Sequence, residues 1–156
     1  MPKQMATFSL DGLYFGVSVL QVQEIVRFQR LTRVPLAPPV VAGLINLRGN
    51  IVTAIDLRTR MDLPPRPERQ LPTNVVVGTS DGVLSLLVDE IGDVVEVKDD
   101  QFEPVPTTVE SQVADLISGV YKLEGRLLLV LDVERAVSIG GDRVARTGLR
   151  SASAPE

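Results

Sequence analysis

The chain has 156 residues, 44% of them apolar and only 4% aromatic, and a formal net charge of −4. With no cysteine and no histidine, it has no thiolate or imidazole for a zinc, haem or iron–sulfur centre, no disulfide, no cysteine nucleophile and no histidine for a hydrolase triad. Its acidity argues against a general nucleic-acid binder, and no apolar run reaches the roughly 18 to 20 residues of a membrane-spanning helix, so a cytoplasmic location without cofactors is expected.

In chain order, Gln4 to Leu10, the turn pair Asp11-Gly12 and Leu13 to Val19 read as strand, turn, strand. Val19 to Ile25 has apolar residues at a spacing of three and fits a helical turn or a continued strand, the helical turn being preferred. Leu31 to Val34 reads as a short strand ended by Pro35, and Pro38-Pro39 sets up a turn. Pro64 to Pro72 is a natural linker. Val75 to Val77, Asp81-Gly82 and Val83 to Val88 then repeat the opening hairpin at an offset of 70. Phe102 to Pro106 is extended but cannot be an interior strand, because each proline removes a ladder donor. Val109 to Ile117 fits a helix, and from Gly140 the polar composition predicts a frayed tail over 140–156.

A second repeat is sharper. Gly43, Leu47, Gly49 and Asp56 recur as Gly119, Leu123, Gly125 and Asp132 at a constant offset of 76. Each copy is a hairpin followed by a short closing helix, Leu57 to Met61 and Val133 to Val137, with Asp56 and Asp132 as caps. The expected architecture is mainly β, with paired small barrels: one lobe over about 14–63 plus the N-terminal strand, the other over about 73–139, the exchange of strands between them being left open. Lobes of this size bury too little surface to stand alone and must share a core. At the hairpin tip, Asn46, Arg48 and Asn50 of the first copy are replaced by Lys122, Glu124 and Arg126. The copies share a fold and differ in what they touch.

Taken singly, Arg48 beside Gly49 reads as a solvated residue on a turn, and Glu24 as a solvated acid between Val22-Gln23 and Ile25. The alternative is that a rigid hairpin presents an arginine to a carboxylate. Arg27, Arg30 and Arg33 around Phe28 read as a solvated loop before a nucleic-acid patch.

Together and in order, Tyr14 to Val17, Val22 to Ile25, Gly43 to Gly49 and Ile55 to Arg58 resemble the CheW family of chemotaxis coupling proteins, over about residues 4 to 138. The resemblance implies two five-stranded SH3-like barrels and a non-enzymatic adaptor. Such an adaptor joins the cytoplasmic tips of methyl-accepting chemoreceptors to the regulatory domain of the histidine kinase CheA. It also implies protein-binding roles for Val22, Glu24, Ile25, Gly43, Asn46, Arg48 and Gly49, with Glu24 and Arg48 close together. Val75 and Val76 match a receptor-docking strand, on which one valine is expected in the core and the other at the surface. Thr53 stands where the family usually has proline, and Glu103 where some relatives carry a base. An adaptor of a non-flagellar system, an excised kinase regulatory domain and a small nucleic-acid-binding barrel are the alternatives. The starting Met1 and the double-barrel length point to a free adaptor.

Overall fold

The computed structural model describes residues 2–139 and 142–143. The N-terminal hairpin is β1 (Lys3–Leu10) and β2 (Leu13–Ser18), turning at Asp11 and Gly12, both at positive φ. A single 3-10 turn at Val19–Gln21, capped by the Ser18 hydroxyl, leads into β3 (Val22–Val26). The expected helical turn is therefore real but stops at Gln21, and Val22 to Ile25 is strand. Strands β4 (Val41–Leu47) and β5 (Asn50–Asp56) form the next hairpin, closed by helix α1 (Leu57–Arg60). Strands β6 (Thr73–Thr79) and β7 (Gly82–Val88) follow the linker, then the short pieces β8 (Glu90–Ile91), β9 (Val95–Val97) and β10 (Phe102–Glu103). One helical turn, α2 (Ser111–Ala114), precedes the hairpin β11 (Ile117–Leu123) and β12 (Arg126–Leu131), closed by α3 (Val133–Ala136). A last bridge pairs β13 (Ser138–Ile139) with β14 (Asp142–Arg143). The tail expected over 140–156 otherwise lies outside the described residues.

Two local expectations change. The segment Leu31 to Val34 is no strand; only Thr32 is paired, with Leu44, because the prolines that follow cannot extend a ladder. The helix expected over Val109 to Ile117 is one turn, since Ile117 is recruited into β11. The Phe102 segment is extended, as expected, and pairs only as the outermost strand of its sheet, where missing donors cost nothing.

The lobe boundaries also need correction. One sheet runs β3-β6-β7-β5-β4, and the other β10-β11-β12-β2-β1-β8 with β9 also on β1. The N-terminal hairpin thus belongs with the C-terminal half, and β6–β7 belongs with the first copy's β4–β5. In each sheet the join is parallel: β12 against β2 (Leu129 opposite Phe15) and β5 against β7 (Thr53 opposite Leu84). The two sheets have seven and five strands rather than five each, the extra ones being pieces of two or three residues. The result is mainly β, two SH3-like lobes over one core, with the repeats' opening hairpins exchanged.

That core takes residues from both sheets: Phe8, Leu10, Phe15 and Val17 from one, Ile55, Val75, Val77, Leu84 and Leu86 from the other. Phe8 and Phe15 stack at 5.7 Å between ring centroids. At roughly 25 cal/mol per Å2, each fully buried side chain of this kind contributes about 1.5–3 kcal/mol. Asp56 and Asp132 cap their helices as expected, accepting from the Arg58 and Arg135 amides. Arg60 of α1 donates to the carbonyls of Ala136, Arg135 and Ser138 at the end of α3, so the two closing helices are joined directly.

The linker is pinned rather than free. Buried Asp89, just after β7, accepts from Arg58 Nε at 2.9 Å and Nη2 at 2.5 Å, from Arg66 Nε at 2.9 Å and from the Asp11 amide at 2.8 Å. Arg58 also donates to the Pro64 carbonyl. One carboxylate thereby gathers α1, the linker, the β1–β2 turn and β7. Burial pushes the Asp89 carboxyl up, but the hydrogen bonds from Arg58, the Asp11 amide and Arg66 outweigh it and hold it below the usual carboxylate value. Arg58 is held above its usual value by its hydrogen bond to Asp89, against the opposing effect of burial.

Candidate protein-docking face

Strands β4 and β5 are joined by the two residues Arg48 and Gly49, at φ +52° and +89°. Positive φ at both central positions defines a type I′ hairpin, whose twist suits the flanking strands. Glycine meets that demand without cost, whereas arginine does not. The corresponding hairpin of the second copy has positive φ only at Gly125, so Glu124 is free of this strain. Asn46 stiffens the first hairpin by accepting from the Gly49 amide at 2.8 Å.

So held, Arg48 reaches Glu24 on β3. Its Nη1 and Nη2 each lie 2.8 Å from one carboxylate oxygen, a bidentate pair spanning 24 residues of sequence. Strands β3 and β4 are the two edges of the five-stranded sheet, so the pair bridges the barrel's ends. The hydrogen bond to Glu24 and its charge raise the Arg48 guanidinium above its ordinary value. Its side chain remains 79% exposed and that of Glu24 28%. Beneath lies a concavity of about 320 Å3, lined by Leu47, Ile51, Val52, Val76 and Val83 along with Gln23 and Asn50. This is an exposed charge pair over an apolar floor, with a rigid hairpin as one wall.

The remaining residues named from the sequence divide. Val22 is half-buried against the shared core, and Ile25, 46% exposed, lies on the same strand as Glu24. Gly43 is buried and its role is spacing: a Cβ there would meet the Thr32 carbonyl at 2.7 Å. Neither Val75 nor Val76 is at the surface. They are 1% and 2% exposed, and the expectation that one would be free is corrected. The period-two alternation holds: Val75 lies in the shared core and Val76 on the opposite face of β6, at the floor of the concavity yet almost without solvent exposure. Exposed Ile51 was not singled out from sequence, although its place at the start of β5, before the buried run Val52 to Ile55, marks it as outward.

Among the described residues no cluster of acidic side chains could hold a metal ion, and no helix is long and apolar enough to cross a membrane. The model of the CheW-like domain family matches residues 4–139. The chain belongs to the CheW family. Chemotaxis protein CheW of Bacillus subtilis is 34% identical over 83% of each chain. CheW of Klebsiella aerogenes is 28% identical over 87% of this chain and 82% of its own. Among solved structures, the scaffolding protein TtCheW of Thermoanaerobacter tengcongensis superposes with a TM-score of 0.82, at 26% identity, over 92% of this chain and 97% of its own. The CheW assignment agrees with the double sheet described above; the two curated relatives are named as chemotaxis proteins and the solved structure as a scaffolding protein.

Proposed function

We propose that this CheW-family chain is a non-enzymatic coupling protein that joins the cytoplasmic tips of chemoreceptors to the regulatory domain of a CheA-type histidine kinase, with the Glu24–Arg48 face as one docking surface. The observation that carries the reading is the exposed bidentate pair on a hairpin that places arginine at positive φ. Local stability would favour asparagine or glycine at that position, so the side chain itself is what the site requires. The concavity below it, and half-exposed Ile25 and Ile51, supply apolar area. The charges set register and partner choice rather than most of the affinity. Contacts of this kind are weak singly and hold a network together by avidity.

The test is titration of the purified kinase regulatory domain, and separately of a receptor tip fragment, with the wild-type chain and with Arg48→Glu. The variant should keep its fold and lose affinity for at least one partner. A large fall in melting temperature with unchanged affinity for both would make Arg48 structural and reject its docking role.

A further inference from the structure

Between β3 and β4 the chain makes a second turn in which sequence and local physics conflict. The Ala37 amide donates to the Val34 carbonyl at 3.3 Å, Pro35 takes the second position, and Leu36 the third at φ +65°. This is the pattern of a type II turn, whose third position belongs to glycine or asparagine. A leucine there is strained by its own Cβ. Strain of this sort is often offset by burial, yet Leu36 is fully exposed. The turn is also rigid. Pro35, Pro38 and Pro39 restrict it, and its base is fastened by reciprocal bonds between Thr32 and Leu44, of 2.9 and 2.7 Å, over the close approach of Gly43. A strained, rigid turn thus holds a large apolar side chain clear of its own surface.

The approach to the turn carries a charge signature. In a chain of net charge −4, residues 27–36 include Arg27, Arg30 and Arg33 and no acid. Among the described residues the three guanidinium groups have no ion-pair partner, and Arg33 lines the same surface recess as Leu36. The geometry points to Leu36 as a recognition knob that inserts into an apolar pocket edged by carboxylates on a folded protein partner, with Arg33 meeting the edge. Resting on the coupling-protein reading, that partner is the kinase regulatory domain. A leucine standing wholly clear of its surface calls for a pocket deep enough for the entire side chain, and in the coupling reading the kinase regulatory domain is the partner that is a folded domain.

The experiment compares wild type, Leu36→Gly, Leu36→Met and Arg33→Glu in thermal melts and in titrations against the kinase regulatory domain and a receptor tip fragment. Glycine relieves the strain, so Leu36→Gly should melt no lower than wild type while binding the kinase domain about tenfold or more weakly. Leu36→Met should retain most of the affinity, and Arg33→Glu should weaken binding in a salt-dependent way. Unchanged kinase affinity for Leu36→Gly, a loss confined to the receptor fragment, or a marked fall in its melting temperature would each overturn the assignment. Failure of wild type to bind the kinase domain would instead reject the coupling reading itself, and Leu36 with it.

Discussion

Replacing Asp89 with alanine should be among the most damaging single substitutions in this protein. Asp89 is 7% exposed at its side chain and accepts four hydrogen bonds, three from the guanidinium groups of Arg58 and Arg66, which are 8% and 9% exposed. Removing it leaves both cations enclosed without their main counter-charge. Breaking a buried pair typically costs about 3–5 kcal/mol. The low end applies because Asp11 and Asp56 each lie 3.9 Å from one of the cations, so about 3 kcal/mol is expected. For a chain of this size that corresponds to about 6–12 °C in melting temperature. Calorimetry and urea unfolding should agree, and the urea slope should not change. Acid should act in the same direction. The folded-state pKa of Asp89 lies below 3.8, so its contribution is fully present above that value and is lost as the pH falls through the lower, folded value. Wild type should therefore lose stability below about pH 4 more steeply than the variant. A cost under about 1 kcal/mol, with parallel acid profiles, would refute the claim that this carboxylate holds linker and sheets together.

Glu24→Ala and Arg48→Ala should each weaken partner binding, and the double variant should lose less than their sum, because one interaction is being removed twice; strict additivity in the cycle would show the two acting on separate surfaces. Thr53→Val should raise stability by about 1 kcal/mol, since the Thr53 hydroxyl is buried with no hydrogen-bond partner among the described residues and valine has the same shape; a loss of stability in urea unfolding would mean that the hydroxyl is satisfied.

Hairpins, closing helices and aspartate caps were legible because each depends on neighbours in sequence: Asp11-Gly12, Arg48-Gly49 and Asp56 act within a few residues of themselves. The proximity of Glu24 and Arg48 came only through family resemblance, since nothing in the period of β3 or β4 states which edges of a curved sheet face each other. Val75 and Val76 defeated sequence reasoning for a related reason. Alternation says that they point to opposite faces but not whether both faces are covered. Asp89 and Arg66 were not singled out from sequence, because their meeting with Arg58 depends on the exchange of hairpins between sheets, which no local pattern encodes.

That exchange also dictates an order of events as the chain leaves the ribosome. All strands of the five-stranded sheet lie between residues 22 and 88 and can come together once that stretch has emerged. The hairpin β1–β2, made before any of them, can pair through β1 with β8 and β9 once residues 90–97 have emerged, but β2 lacks its second neighbour until β12 arrives at residues 126–131 to run parallel with it. Throughout that interval Phe8, Leu10, Phe15 and Val17, core residues of the finished molecule, lack the part of their cluster that Leu129 and Leu131 complete. Pairings this distant in sequence close slowly and leave apolar strands exposed while they wait. An early hairpin is thus completed late, and deletion of β1–β2 would remove the middle of the larger sheet rather than trim an end.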